Sequence, residues 1–190
     1  KSSSAILNVG FNRRFAPLVV ELNNHFSSRT TPLSMFYRVN AGWIDADHWA
    51  HDPVKGGGRI IGEVCHFIDL MQHVSGAKPT RVFATALVPN GKTVLPDDNA
   101  HIVVDFADGS RGTILYSALG AKRQPKEKLE VLGSGKSAEL NDFRSLETWS
   151  GSNSGKKKGK LDKGHAQMLQ ALGNAVRNGS PAPIPFDQLA

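Results

Sequence analysis

A chain of 190 residues with 39% hydrophobic and 21% charged side chains can bury the core of one globular domain, and no apolar run nears the ~20 residues of a bilayer-spanning helix. The single cysteine, Cys65, excludes an internal disulfide and fits a reducing compartment, so a cytoplasmic location is expected. The net charge of +6 owes four of its lysines (Lys156, Lys157, Lys158 and Lys160) to one stretch, GSNSGKKKGK, which lacks aromatic residues that could stack on bases; a solvated loop is expected there, with nucleic acid and membrane excluded as partners.

In chain order, Ala5–Phe11 is an apolar run that reads as a short strand, and its start resembles a cut end more than a secretory signal. Pro17 suits the first turn of a helix, and Leu18, Val19, Leu22 and Phe26 keep helical spacing to Phe26. Leu33–Asn40 alternates as a strand with Met35, Tyr37 and Val39 on one face. The segment NAGWIDADHWAHDP carries Asp45, Asp47, His48, His51 and Asp52, but at spacings that match no tight metal-ligand template. A loop lying under Trp43 and Trp49, with its polar groups toward a cleft and no metal, is the expectation.

Three glycines, Gly56–Gly58, then form an elbow that can enter positive φ. Beyond it, Ile60, Val64, Phe67, Ile68, Met71 and Val74 gather on one side of a helix at about 100° per residue. Arg59, Glu63, His66 and His73 gather on the other, as a site or as an ordinary solvated stripe, and Ser75–Gly76 closes the helix. Strands follow at Thr80–Val88, Asn99–Phe106 and Arg111–Leu119, the last two joined by an Asp108–Gly109 turn. A second hairpin pairs Lys128–Leu132 with Ser137–Leu140, and Phe143–Trp149 adds an edge strand. His165–Arg177 is an amphipathic helix, closed by Gly179 and kept from resuming by Pro181, Pro183 and Pro185.

The stretches VGFNRRFAP, GGGRIIGEVCHFIDL, DNAHIVVDFADGSRGTILY and PIPFDQL, in this order, resemble the C-terminal domain of the Gfo/Idh/MocA oxidoreductases over nearly the whole chain. The resemblance implies an α+β domain: an open, predominantly antiparallel sheet with helices on one face. It implies NAD or NADP held by a Rossmann domain absent from this chain. Residues 1–12 would be that domain's last strand and exit, and residues 13–190 the substrate-binding and oligomerising domain, acting on a sugar-type substrate and self-associating through the sheet face. The family's Glu-Lys-Pro segment and G-x-G-x-x-G fingerprint are missing, so the isolated chain is not expected to turn over. Many members carry Asp, any residue, Gly, any residue, His after the glycines and three further residues. Here Gly62 and Val64 replace the Asp and the Gly, whereas His66 and, three residues on, Asp69 are kept. This variant, with GFNRRF and the later PKE at Pro125–Glu127, is similar to two-part dehydrogenases in which a zinc-type alcohol-dehydrogenase-like portion comes first, tied to polysaccharide biosynthesis or nucleotide-sugar metabolism.

The resemblance makes His66 the residue that handles a hydroxyl proton, with Glu63 standing in for the carboxylate lost at Gly62. The competing readings are a histidine bonded structurally to Asp69 or Glu63, and a Glu63 in a surface pair with Arg59. Arg13 and Arg14 are expected along the interdomain cleft, where a guanidinium would fork onto an acidic or nucleotide-linked sugar, or form an interdomain salt bridge. Arg59, Tyr37, Asp47, His48 and Lys126 complete the expected substrate contacts. His73 is read as structural or solvated, and Cys65 as a small core residue. The rival function is a non-catalytic sugar-binding or assembly module of the same fold, to which the loss at Gly62 lends weight.

Overall fold

The computed structural model describes residues 5–88 and 98–189; residues 1–4 of the expected exit strand, and residue 190, lie outside the described residues. Helix α1 (Pro17–Phe26) and strand β1 (Ser34–Asn40) form where spacing and alternation place them, and β1 turns Met35, Tyr37 and Val39 inward. A long irregular segment then leads to a π-helical turn, Ile60–Val64, that runs into α2 (Cys65–Ser75). Gly76 ends α2 at φ 66°, a left-handed cap that suits glycine. There follow β2 (Pro79–Ala86), β3 (Asn99–Phe106), β4 (Arg111–Ser117), β5 (Glu127–Gly133), β6 (Lys136–Asn141), β7 (Ser145–Ser150), β8 (Asn153–Lys158) and α3 (His165–Asn178).

The strands make one open sheet in the order β2-β3-β4-β1-β5-β6-β7-β8, parallel at β1–β4 and antiparallel at every other pair. Its inner face presents Ile102, Val104, Ile114, Leu129, Val131 and Leu140, which pack with Val19 and Leu22 of α1 and with Phe67, Leu70 and Met71 of α2. A Cβ at Gly112 would strike the Met71 side chain, so this glycine lets α2 settle onto β4.

Ala5–Phe11, expected as the last strand of a separate domain, pairs with none of the strands described here, and Leu7 is about half exposed. Two expectations change. The lysine-rich stretch is not a loop. Gly151, at φ 58°, turns the chain so that Asn153–Lys158 pairs with β7, and Lys156 and Lys157 bond Glu147 and Glu21. Lysine is a common occupant of an edge strand because it discourages further pairing. With β8 in place, β7 becomes interior rather than the edge. Among the described residues, no helix is long and apolar enough to cross a membrane.

Candidate active site

The π turn and β5 meet at one end of the sheet. Gly57 and Gly58, at φ 69° and 85°, bend the chain into the turn, and its i→i+5 bonding departs from the spacing the sequence reading assumes. Glu63 projects from this turn, 27% exposed at its side chain. One carboxylate oxygen accepts from the Tyr116 hydroxyl of β4, the other from Lys126 Nζ just ahead of β5, and Arg59 Nη2 stands 3.6 Å away. Burial alone would raise the Glu63 carboxyl, but Lys126 and Tyr116 outweigh it and bring it below its usual range. Burial, and after it the same carboxylate, drive the Tyr116 phenol up, so that it stays a donor.

Arg59 is buried and both its terminal guanidinium nitrogens are engaged. It donates to the carbonyls of Gly42 (2.8 Å) and Ala41 (3.0 Å), approaches Asp98 at 3.4 Å, and lies over the Tyr116 ring at 5.5 Å. Asp98, itself buried, meets His51 Nε2 at 3.1 Å, while His51 Nδ1 faces the Asp45 carbonyl at 3.0 Å. These bonds fasten the Ala41–Gly58 segment to the sheet, with Arg59 at their centre. His48 accepts from the Ala50 amide through Nδ1 and, like Asp47, is exposed on this segment. Trp43 and Trp49 are exposed at 47% and 63%, so they do not cover the loop as expected. Among the described residues, no three His, Cys, Asp or Glu side chains converge as metal ligands do.

Arg13 and Arg14 do not face open solvent. Their short 3-10 turn, Asn12–Phe15, lies against the polar stripe of α2. Arg13 forks onto Glu127 through Nε (2.8 Å) and Nη2 (2.9 Å) and stacks over Phe67 at 5.0 Å. Glu127, 1% exposed, also accepts from the Tyr37 hydroxyl (2.6 Å) and Lys163 Nζ (2.5 Å). Tyr37 is thus a core residue, because its inward parity on β1 carries the phenol onto a buried carboxylate. Arg14 pairs with Asp69 at 2.6 Å and donates to Gln188 at 2.5 Å. Gly164, at φ 82°, ends the Lys163 segment; a Cβ there would strike the backbone of the Asn12–Phe15 turn.

His66 is half-buried one turn beyond Glu63, edge-on to the Phe11 ring at 5.7 Å. Its Nδ1 is buried without a hydrogen-bond partner: Asp69 is taken by Arg14, and Glu63 by Lys126 and Tyr116. Burial and the nearby Arg13 charge lower its pKa from 6.5 to about 4, with Glu127 and Glu63 pulling the other way, so the ring is neutral at physiological pH. Neighbouring Cys65 is part-buried, at the edge of the core. The structure brings together Glu63, Lys126 and Arg59; it sets Tyr37, Arg13 and Arg14 in internal pairs and leaves Asp47 and His48 on the outer segment. Sequence reasoning missed Tyr116, although its parity with Ile114 marks it as inward, and Asp98, for which no local signal exists.

An open, mostly antiparallel sheet with helices over one face, and a polar stripe along the central helix, defines an α+β domain. The chain belongs to the Gfo/Idh/MocA family: the profile described as GFO/IDH/MocA C-terminal domain matches residues 30–139. Among curated proteins no sequence matches it. Similar folds include an oxidoreductase domain protein from Kribbella flavida (TM-score 0.79, 19% identity, 98% of this chain and 62% of that one). A UDP-N-acetylglucosamine 3-dehydrogenase from Acidithiobacillus ferrooxidans aligns at TM-score 0.73 and 17% identity, over 93% of this chain and 54% of that one. An inositol dehydrogenase homolog complexed with NAD+ from Azotobacter vinelandii aligns at 0.68 and 18%, over 87% and 47%. The chain therefore spans 47–62% of the length of these proteins, and the likeness is one of fold.

Proposed function

We propose that this chain is the substrate-binding and oligomerising domain of an NAD(P)-dependent oxidoreductase acting on a hydroxyl of a sugar or sugar derivative. The observation that carries the reading is a neutral, half-buried imidazole with an unpartnered nitrogen, one helical turn from a carboxylate that Lys126 and Tyr116 hold in place. Oxidising a carbinol requires its hydroxyl proton to leave with the hydride; His66 takes the proton, and the Glu63 and Glu127 charges favour the imidazolium that results. Glu63 and Lys126, both part-exposed, contact substrate hydroxyls, with Asp47 and His48 at the rim. The two dehydrogenases among the similar folds support a sugar-type substrate and a nicotinamide dinucleotide.

The described residues do not fit that dinucleotide. The glycine elbow follows a loop rather than a strand, and at Gly56 a Cβ would strike the Ala50 backbone, so this glycine serves packing and not a phosphate cradle. The dinucleotide, which accepts or gives the hydride, is assigned to a preceding Rossmann domain. The GFNRRF, GGGRIIGE and PKE stretches support a parent that also carries a zinc-type alcohol-dehydrogenase-like portion and acts in the cytoplasm on polysaccharide precursors. In the full-length protein, His66→Ala lowers NAD(P)H-coupled turnover at least ~10²-fold with an unchanged thermal melt. Undiminished turnover removes the assignment; background activity in the parent with every sugar tried favours the non-catalytic module.

The oligomer reading rests on the outer face of the sheet. Phe83 (68% exposed), Val103, Thr113 and Phe36 (39% exposed) are in register across β2, β3, β4 and β1. Charging this row with Phe36→Lys and Phe83→Lys converts the oligomer to a monomer in size-exclusion chromatography; an unmoved elution volume places the interface elsewhere.

A further inference from the structure

We infer that the Phe186–Gln188 turn opens a further helix, formed by residues that follow Ala190 in the parent protein, and that this helix covers the inner face of β2. Val82 and Ala84 of β2 stand in register with Val104 and Ile102 of β3, on the same inner face. The β3 residues are covered, at 2% and 5% exposure. Val82 is 64% exposed, and Ala84 and Ala86 are exposed beside it. The helices of the inner layer lie over other strands: α1 over β6 and β7, α2 over β3 and β4. At the far edge of the sheet β8 carries three lysines, whereas β2 has one charged side chain, Arg81, already paired with Asp105. An apolar edge that lacks protective charge calls for a cover. A second copy added along β2 would extend the sheet and leave the inner sides of Val82 and Ala84 open; a helix laid on the face closes them.

The last described segment travels toward this gap. Pro183 and Pro185 border the cavity that Phe15, Val20 and Asn23 line on the α1 side. Asp187 and Gln188 border another, lined by Gln72, Gly76, Ala77 and Lys78. Asp187 pairs there with Lys78 Nζ at 2.9 Å, one residue ahead of β2, and the Gln188 carbonyl accepts from Gln72 Nε2 at 3.5 Å. The chain thus crosses α2 from the α1 side to the β2 side. It arrives in helical form. The Gln188 and Leu189 amides donate to the Pro185 and Phe186 carbonyls, both at 2.9 Å, and Leu189 keeps right-handed helical angles. A 3-10 turn commonly starts an α-helix, and an acid such as Asp187 favours that end. Ile68, four residues before Gln72, shares the flank of α2 that Gln188 reaches and is only part-buried, which gives the helix an apolar wall opposite Val82. To run the length of β2, eight residues and so about 27 Å, takes about 18 helical residues.

The test places a benzophenone amino acid at Val82 of the parent protein and maps the photo-adduct by peptide mass spectrometry. Adducts to residues beyond Ala190 are expected. Adducts confined to residues 1–190 of the same or a second copy, adducts to a domain that precedes this chain, no adduct at all, or a parent that stops at Ala190 each overturn the inference. Val82→Glu supplies a second measure. It lowers the melting temperature of the parent by about 4 °C or more and that of the 190-residue chain by less than about 2 °C; equal shifts overturn the inference. Neither readout involves turnover or the outer face of the sheet, so failure of the His66 assignment or of the oligomer reading leaves both intact.

Discussion

Glu63 and Glu127 are each met by a tyrosine hydroxyl, a lysine ammonium and an arginine guanidinium, and the side chains of the two tyrosines involved, Tyr116 and Tyr37, flank one ring, Phe67. Their burial separates them: Glu127 is 1% exposed and Glu63 27%. The deeper carboxylate ties the Asn12–Phe15 turn, β1, β5 and the segment before α3 into one strut, with no side left for a ligand. The shallower one has the same chemistry at an opening beside a glycine elbow. Lys126 and Glu127 are neighbours in the chain, and the pleat at the start of β5 sends one to each cluster. The contrast teaches that the same partner types can close a buried strut or leave a carboxylate open to solvent, as a site would require.

The sharpest break of this comparison is Glu127→Ala. It leaves Arg13 and Lys163 without their carboxylate at side-chain exposures of 8% and 19%. Stability falls by about 3–5 kcal/mol, the cost of stranding one partner of a buried pair, as measured by urea denaturation. A loss below about 1 kcal/mol would mean that the strut is dispensable and the comparison empty.

Acid titration sharpens it next. Burial opposes ionisation of Glu127, but Arg13 and Lys163 prevail and lower its pKa from 4.5 to about 2. Its contribution is complete above 4.5 and is lost as pH falls toward 2. His66 and His73 take up their proton less readily when folded, at about 4 against 6.5. The unfolded chain therefore binds more protons between those values, and stability declines as pH falls from 6.5 to 4. Stability against pH thus descends in two windows. His66→Asn with His73→Asn flattens the upper one and leaves the lower; if Glu127→Gln flattens the upper window instead, the assignment is reversed.

How much of this was legible depends on how local each signal was. Helix α1, strand β3 and the Asp108–Gly109 turn were readable because spacing or a dipeptide encodes them within a few residues; Gly109 does adopt φ 87°. Strand β8 was not, since every position is exposed and no alternation shows. Arg13 and Arg14 stood out as chemistry-bearing residues, but their partners lie 114 and 55 positions away, a distance no local pattern spans. The same holds for Tyr116 and Glu63, 53 positions apart. Only the pairing of β1 with both β4 and β5 brings the two tyrosine–carboxylate contacts to one end of the sheet.

The smallest effect on folding is the most informative for function. Tyr37→Phe removes a hydrogen bond to a buried charge and costs about 1.5–3 kcal/mol, whereas Tyr116→Phe and Glu63→Gln, where water can reach the site, each cost less than about 1 kcal/mol. If Glu63 is only another pairing carboxylate, Glu63→Gln should leave the parent enzyme as active as it is stable. If it faces substrate, removing its charge withdraws support from the imidazolium of His66 and a hydroxyl contact at once, and kcat falls about 10²-fold at nearly unchanged stability. Steady-state kinetics beside a urea melt of the same preparation separates the two. Because Tyr116→Phe leaves the charge in place and removes one of its anchors, it should lower kcat less than Glu63→Gln does; equal losses would mean that orientation, not charge, is what Glu63 contributes.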